Sequence, residues 1–229
     1  MNEYPVAYLL TFNNGYCLNM QGAVGRVAEL RQRFGPERIR HEIVNTAPLI
    51  KWLLRDGQGL WREFHSPLIF DLACKMSGLT ELIYLAKVNG LTDISDGAAI
   101  EQTHIFLQHP EFSAFLEPFI AEYQLRFLKP VLFDKNRAEK LERLRDEGLR
   151  AGTRSLEKVF ITSQLRYQPF CLRGFITFFF TSPLRRLNMV QSYGLSLDRA
   201  EELWRRLWPT AKTHLDGKLA ESRTIKDER

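Results

Sequence analysis

Apolar residues run from Val6 to Phe12 with Thr11 the one polar position, the pattern of a strand buried on both faces. Asn13, Asn14 and Gly15 follow, residue types that accept a positive φ, so a turn is expected there. Met20, Val24, Val27, Leu30 and Phe34 recur at helical spacing and predict a helix with those side chains inward, stopped by Gly35-Pro36. Arg38–Asn45 alternates polar and apolar positions and reads as a second strand. Ala47–Leu54 predicts a short helix.

Ser66-Pro67 offers an N-cap followed by a first-turn proline, ahead of a helix through Cys74 with Leu79, Leu82, Ile83 and Ala86 on its buried face. Asn89-Gly90 ends that helix. Leu91–Ser95 predicts a third strand, and Asp96-Gly97 turns the chain into another helical region. His109-Pro110 opens a helix carrying Phe112, Phe115, Leu116 and Phe119, and Leu125–Leu128 predicts a fourth strand. Over Lys135–Glu147 a further helix is expected, with Ala138, Leu141 and Leu144 inward and Gly148 just past its end.

Strands alternating with helices predict an α/β domain over residues 1–150, with a mostly parallel sheet of four or five strands. Ligand in such a sheet binds at the carboxyl ends of the strands, here around Thr11–Tyr16, Ile43–Asn45 and Ser95–Gly97. The pattern changes after Arg150. Phe160, Tyr167, Phe170, Phe175, Phe178, Phe179 and Phe180 crowd one stretch, and helical spacing returns over Pro183–Tyr193 and Leu197–Trp208. Residues 151–229 are therefore expected to form a smaller, helical C-terminal region with a frayed polar tail.

Composition narrows the classes. Of 229 residues, 45% are apolar and 26% charged, enough for a packed core and too apolar for wholesale disorder. No run approaches ~18 apolar residues, so no membrane span is expected. Glu3 stands where a secretory leader carries basic residues, and three cysteines (Cys17, Cys74, Cys171) make no disulfide framework. A reducing cytoplasm is the expected location. The five histidines are scattered, and no spacing suggests a metal site.

The net charge of +5 is concentrated locally. Arg150, Arg154, Lys158, Arg166, Arg173, Arg185 and Arg186 face a single acid, Glu157, across residues 150–186. Charge alone favours a solvated basic face; arginines among aromatics also suit RNA, through phosphate contacts and base stacking, although the run Phe175–Phe180 is too apolar for a solvent-facing platform and reads as core or subunit interface. Asp96 is a candidate for Mg²⁺ or a ribose, or simply a turn residue.

The order of elements is similar to that of PP-loop ATP pyrophosphatases, whose members include tRNA 2-thiouridine synthetases, 7-cyano-7-deazaguanine synthases and PAPS reductases. FLKPVLFDKNRAEKLERLRDEGL resembles their strand, Pro-Leu, Asp, Lys, helix, Leu-Gly segment, and CKMSGLTELIYLAKVNGLTDISDG their cysteine-bearing helix and the strand after it. HPEFSAFLEPF is like the short helix that some members carry before the fourth strand. The resemblance covers roughly residues 6–150 and implies a Rossmann-like sheet that binds ATP with Mg²⁺. It places nucleotide at Thr11, Asn13, Asn14, Gly15, Tyr16, Asp96 and Gly97. The family's Ser-Gly-Gly-x-Asp-Ser loop aligns with Asn13-Asn14-Gly15-Tyr16-Cys17-Leu18, where only Gly15 matches, and its Thr-Gly-His turn with Ser95-Asp96-Gly97.

Two functions follow from the resemblance. In the first, Cys74, with Cys171 as second thiol, transfers sulfur to an adenylated nucleotide or tRNA. A helix N-terminus and Lys75 would then favour the Cys74 thiolate. In the second, the chain is a catalytically inactive PP-loop-like subunit, structural or RNA-binding, working with a partner protein or as a homodimer. In that case the cysteines are core residues.

Overall fold

The computed structural model describes residues 6–18, 20–96, 110–129, 137–149, 170–171 and 195–227. Among these the chain is mixed α/β. Strands β1 (Ala7–Asn13) and β2 (Cys17–Leu18) precede helix α1 (Gln21–Phe34). Then come β3 (Ile39–Asn45), α2 (Ala47–Leu53), α3 (Gly57–Phe64), α4 (Leu68–Val88) and β4 (Asp93–Ser95). They are followed by α5 (Pro110–Ala121), β5 (Arg126–Leu128), α6 (Arg137–Asp146), β6 (Phe170–Cys171) and α7 (Leu197–Asp227).

Two of the pairings are parallel, β1 with β3 and β4 with β5, and β2 pairs antiparallel with β6. Each is a separate two-stranded sheet among the described residues. The parallel character expected from strand–helix alternation is present, whereas one sheet of four or five strands is not seen in the described part.

The chain divides into two compact units, each made of two separated stretches. The first comprises residues 1–45 and 136–176, the second 46–135 and 177–229. The ranges 1–150 and 151–229 expected from sequence are thus each shared between both units.

In the first unit, β1 and β3 run in register from Ala7 opposite Ile39 to Asn13 opposite Asn45, with α1 as the crossover. Gly35, at φ 97°, ends α1 where its N–H reaches the Arg31 carbonyl, and Arg31 Nε donates to the Ile39 carbonyl at 3.0 Å. The buried side chains of α1 are Ala23 and Val27, while Val24 and Phe34, expected inward, are exposed. The inward stripe is thus Ala23–Val27, displaced by a fraction of a turn from the one that large side chains suggested. Leu144 of α6 is also exposed, against expectation.

The second unit is built on α4. Side chains on nearly every face of this helix are buried, from Leu68 and Leu72 through Met76 to Ile83 and Ala86. Its hydroxyls are satisfied by its own backbone: Ser77 Oγ donates to the Cys74 carbonyl at 2.9 Å and Thr80 Oγ1 to the Met76 carbonyl at 2.8 Å. Ser66 Oγ accepts from Leu68 N at 3.2 Å, the cap foreseen at Ser66-Pro67.

Helix α7 packs along α4 and also touches α2 and α5. It continues through Pro209 to Asp227, so the expected stop at Trp208 and the frayed tail are corrected. Leu203, Leu207, Ala211 and Leu215, one every turn, are all buried, and that burial outweighs the ~3 kcal/mol a helical proline costs. Helix α3 had no sequence counterpart. Gly57 and Gly59 lower its helix propensity, and the Asp56 carboxylate restores it by accepting from Gly59 N at 3.2 Å.

Candidate functional site

The turn after β1 is held by its own side chains. Asn13 Oδ1 accepts from Gly15 N at 3.0 Å, and Asn14 Oδ1 accepts from Tyr16 N at 2.9 Å. Two consecutive Asx turns result, with Gly15 at φ 84° supplying the left-handed residue between them. The Cys17 thiol donates to Asn14 Oδ1 at 3.2 Å and to the Phe12 carbonyl at 3.5 Å.

A phosphate cradle works by turning consecutive backbone N–H groups toward an anion. Here two of those N–H groups point at carboxamide oxygens of the turn itself. Folded this way, the turn does not fit a pyrophosphate.

Beside the turn, period-two alternation places Thr11 and Asn13 on the same face of the parallel pair as His41, Ile43 and Asn45. Thr11 Oγ1 and His41 Nε2 are hydrogen-bonded at 2.9 Å. Burial, and then the Arg31 guanidinium, hold the His41 imidazole below its ordinary pKa, so the ring is neutral near pH 7. On the other face Arg40 Nη1 donates to Tyr8 Oη at 2.6 Å while its guanidinium lies over the Tyr8 ring. His41 was not among the expected site residues. The signal that marks it is the alternation of RIRHEIVN, which sets His41, Ile43 and Asn45 on one side of a strand.

Thr11, Asn13, Asn14, Gly15 and Tyr16 are thus brought together in the first unit, and Tyr16 is exposed. Asp96 belongs to the second unit, where Lys75 Nζ meets its Oδ2 at 2.8 Å. Gly97 and the seven basic residues Arg150, Arg154, Lys158, Arg166, Arg173, Arg185 and Arg186 lie outside the described residues.

Compared with protein-family models, curated proteins and solved structures, the chain matches none. The site therefore rests on its own geometry.

The three cysteines are divided between the two units. Cys17 of β2 stands in register with Cys171 of β6, within the first unit. Cys74 lies in the second unit, at the seventh position of α4 and only partly exposed. The field of a helix terminus fades beyond its first turn, so Cys74 draws little from it, and the Lys75 charge is matched by Asp96. Among the described residues no three His, Cys, Asp or Glu side chains group as metal ligands, and no helix is long and apolar enough to cross a membrane.

Proposed function

We propose that this chain is a PP-loop-like protein of Rossmann-like type that has lost pyrophosphate chemistry and serves as an RNA-binding subunit of a cytoplasmic assembly. The observation that carries the first half is the pair of Asx turns: Asn13 and Asn14 occupy the Gly15 and Tyr16 N–H groups that would wrap a nucleotide's phosphates. The sulfur-transfer alternative asks for a Cys74 thiolate stabilised by positive charge, and the Lys75–Asp96 pair supplies little of it.

RNA as the partner follows from sequence chemistry. Seven basic residues against one acid, interleaved with aromatics between 150 and 186, suit phosphate contact and base stacking.

Three measurements on the full chain test the reading. Thermal shift in millimolar Mg–ATP is expected to show no change, and radiolabelled ATP is expected to stay intact. Filter binding of single-stranded RNA or tRNA is expected to weaken by orders of magnitude between about 50 and 200 mM salt. Release of AMP and pyrophosphate would restore the enzyme reading, and RNA binding that is absent or indifferent to salt would remove the proposed partner.

A further inference from the structure

Cys17 and Cys171 are far apart in sequence and directly opposite one another in the two-residue antiparallel ladder of β2 and β6. Directly opposed residues in such a ladder have Cα atoms about 4.5–5.5 Å apart, whichever kind of pair they form. That spacing falls inside the window of about 4.4–6.8 Å that a disulfide bridges without moving the backbone. The remaining cysteine, Cys74, lies in the other compact unit. We infer that Cys17 and Cys171 are a thiol-pair modification site, closed to an intramolecular disulfide by a low-molecular-weight disulfide oxidant such as glutathione disulfide.

The chemistry is two successive exchanges. One cysteine thiolate attacks a sulfur of the oxidant, forming a mixed disulfide and expelling one thiolate. The second cysteine thiolate then attacks the protein sulfur of that mixed disulfide and expels the other. The protein loses two electrons and two protons, and the oxidant is reduced to two thiols. Atoms and charge balance with no further reactant.

Closure bears on the turn after β1. The Cys17 S–H donates to Asn14 Oδ1 and to the Phe12 carbonyl, and a disulfide sulfur has no proton to donate. Oxidation therefore removes a donor from the carboxamide that also caps Tyr16 N, and ties the turn covalently to β6. The site is independent of whether the chain binds RNA or nucleotide, since neither takes part.

The test is oxidation of the full chain with glutathione disulfide, followed by thiol counting in denaturant and unreduced peptide mapping. The three thiols should fall to one, with the Cys17 and Cys171 peptides joined within a single chain. Cys74→Ser should still form the link. Cys17→Ser and Cys171→Ser should each abolish it while retaining the wild-type circular dichroism spectrum. On closure the Tyr16 amide resonance should shift in wild type and stay put in Cys171→Ser. Three surviving thiols, only glutathione adducts, a link through Cys74, or a link between chains would each overturn the inference.

Discussion

In the second unit α4, α5 and α7 bury Leu72, Met76, Ile83, Phe112, Phe119, Leu203 and Trp204 in one continuous cluster. In the first unit only Ala23, Val27 and Ile39 are buried apolar side chains among the described residues. Yet the first unit carries the nested Asn turns, the Thr11–His41 contact and the Cys17–Cys171 pair. The difference separates two tasks. Apolar area removed from water at about 25 cal/mol per Å² stabilises the helical unit, and the thin parallel pair presents polar groups at its strand ends.

The largest expected effect lies in the helical unit. Trp204 is 1% exposed and meets Phe112 edge-on at 5.7 Å. Trp204→Ala should cost about 3–5 kcal/mol in urea unfolding, through lost transfer energy and a cavity. Its indole N–H has no acceptor among the described residues, so Trp204→Phe, which removes that donor, should cost markedly less than the alanine variant. Equal losses from both would mean that packing around the indole is not what holds the unit.

Next comes the ion pair that ties α7 to α4. The Glu81 side chain is 7% exposed, with Lys218 Nζ at 2.6 Å and His214 Nε2 at 3.5 Å, and the Lys218 ammonium lies over the Tyr84 ring. Lys218 and His214 remain partly in solvent, which discounts the fully buried figure. Glu81→Leu should therefore cost about 1–2 kcal/mol, read by the same unfolding midpoint. No loss would show that apolar contacts alone join the two helices.

In the first unit the expected effects are smaller. Asn14→Ala removes the oxygen that caps Tyr16 N and should cost roughly 0.5–1 kcal/mol, with faster amide exchange confined to residues 14–17. Loss of protection in α4 as well would contradict the separation of tasks.

Smallest is the pH response of His41. Its folded pKa is depressed, so the unfolded chain takes the proton first as pH falls. The stability it contributes is full above the unfolded value near 6.5 and declines as pH drops through 6.5 toward the folded value. His41→Asn should flatten that limb of the stability–pH curve and leave the rest unchanged.

The longer elements were legible in the chain from the period of residue types, although burial does not follow it throughout: β1, expected to be buried on both faces, is only half-buried along its length, and Ile43 of β3 is exposed. The run Val6–Phe12, the alternation of RIRHEIVN and the Ser66-Pro67 start of α4 all mark elements the structure contains. The misses have identifiable causes. Helical spacing was read only as far as Trp208, but the Leu203–Leu207–Ala211–Leu215 stripe carries the helix through Pro209. The glycines of α3 hid a helix that a single aspartate caps. Large side chains drew attention to Val24 and Phe34, whereas the small Ala23 is the one that α1 buries beside Val27.

At the site, the Asn-Asn-Gly turn was visible, but that its carboxamides turn back onto its own N–H groups was not, because an asparagine side chain can equally face a ligand. Cys171 could not be placed opposite Cys17, since two-residue strands carry no periodicity to read.

The most direct measurement is a titration of the ¹⁵N-labelled full chain with Mg–ATP, following the amide resonances of Gly15 and Tyr16. If Asn13 and Asn14 hold those N–H groups, both resonances stay where they are at millimolar nucleotide. Saturable shifts at these two amides would show that the turn opens to take phosphate, and would contradict the account.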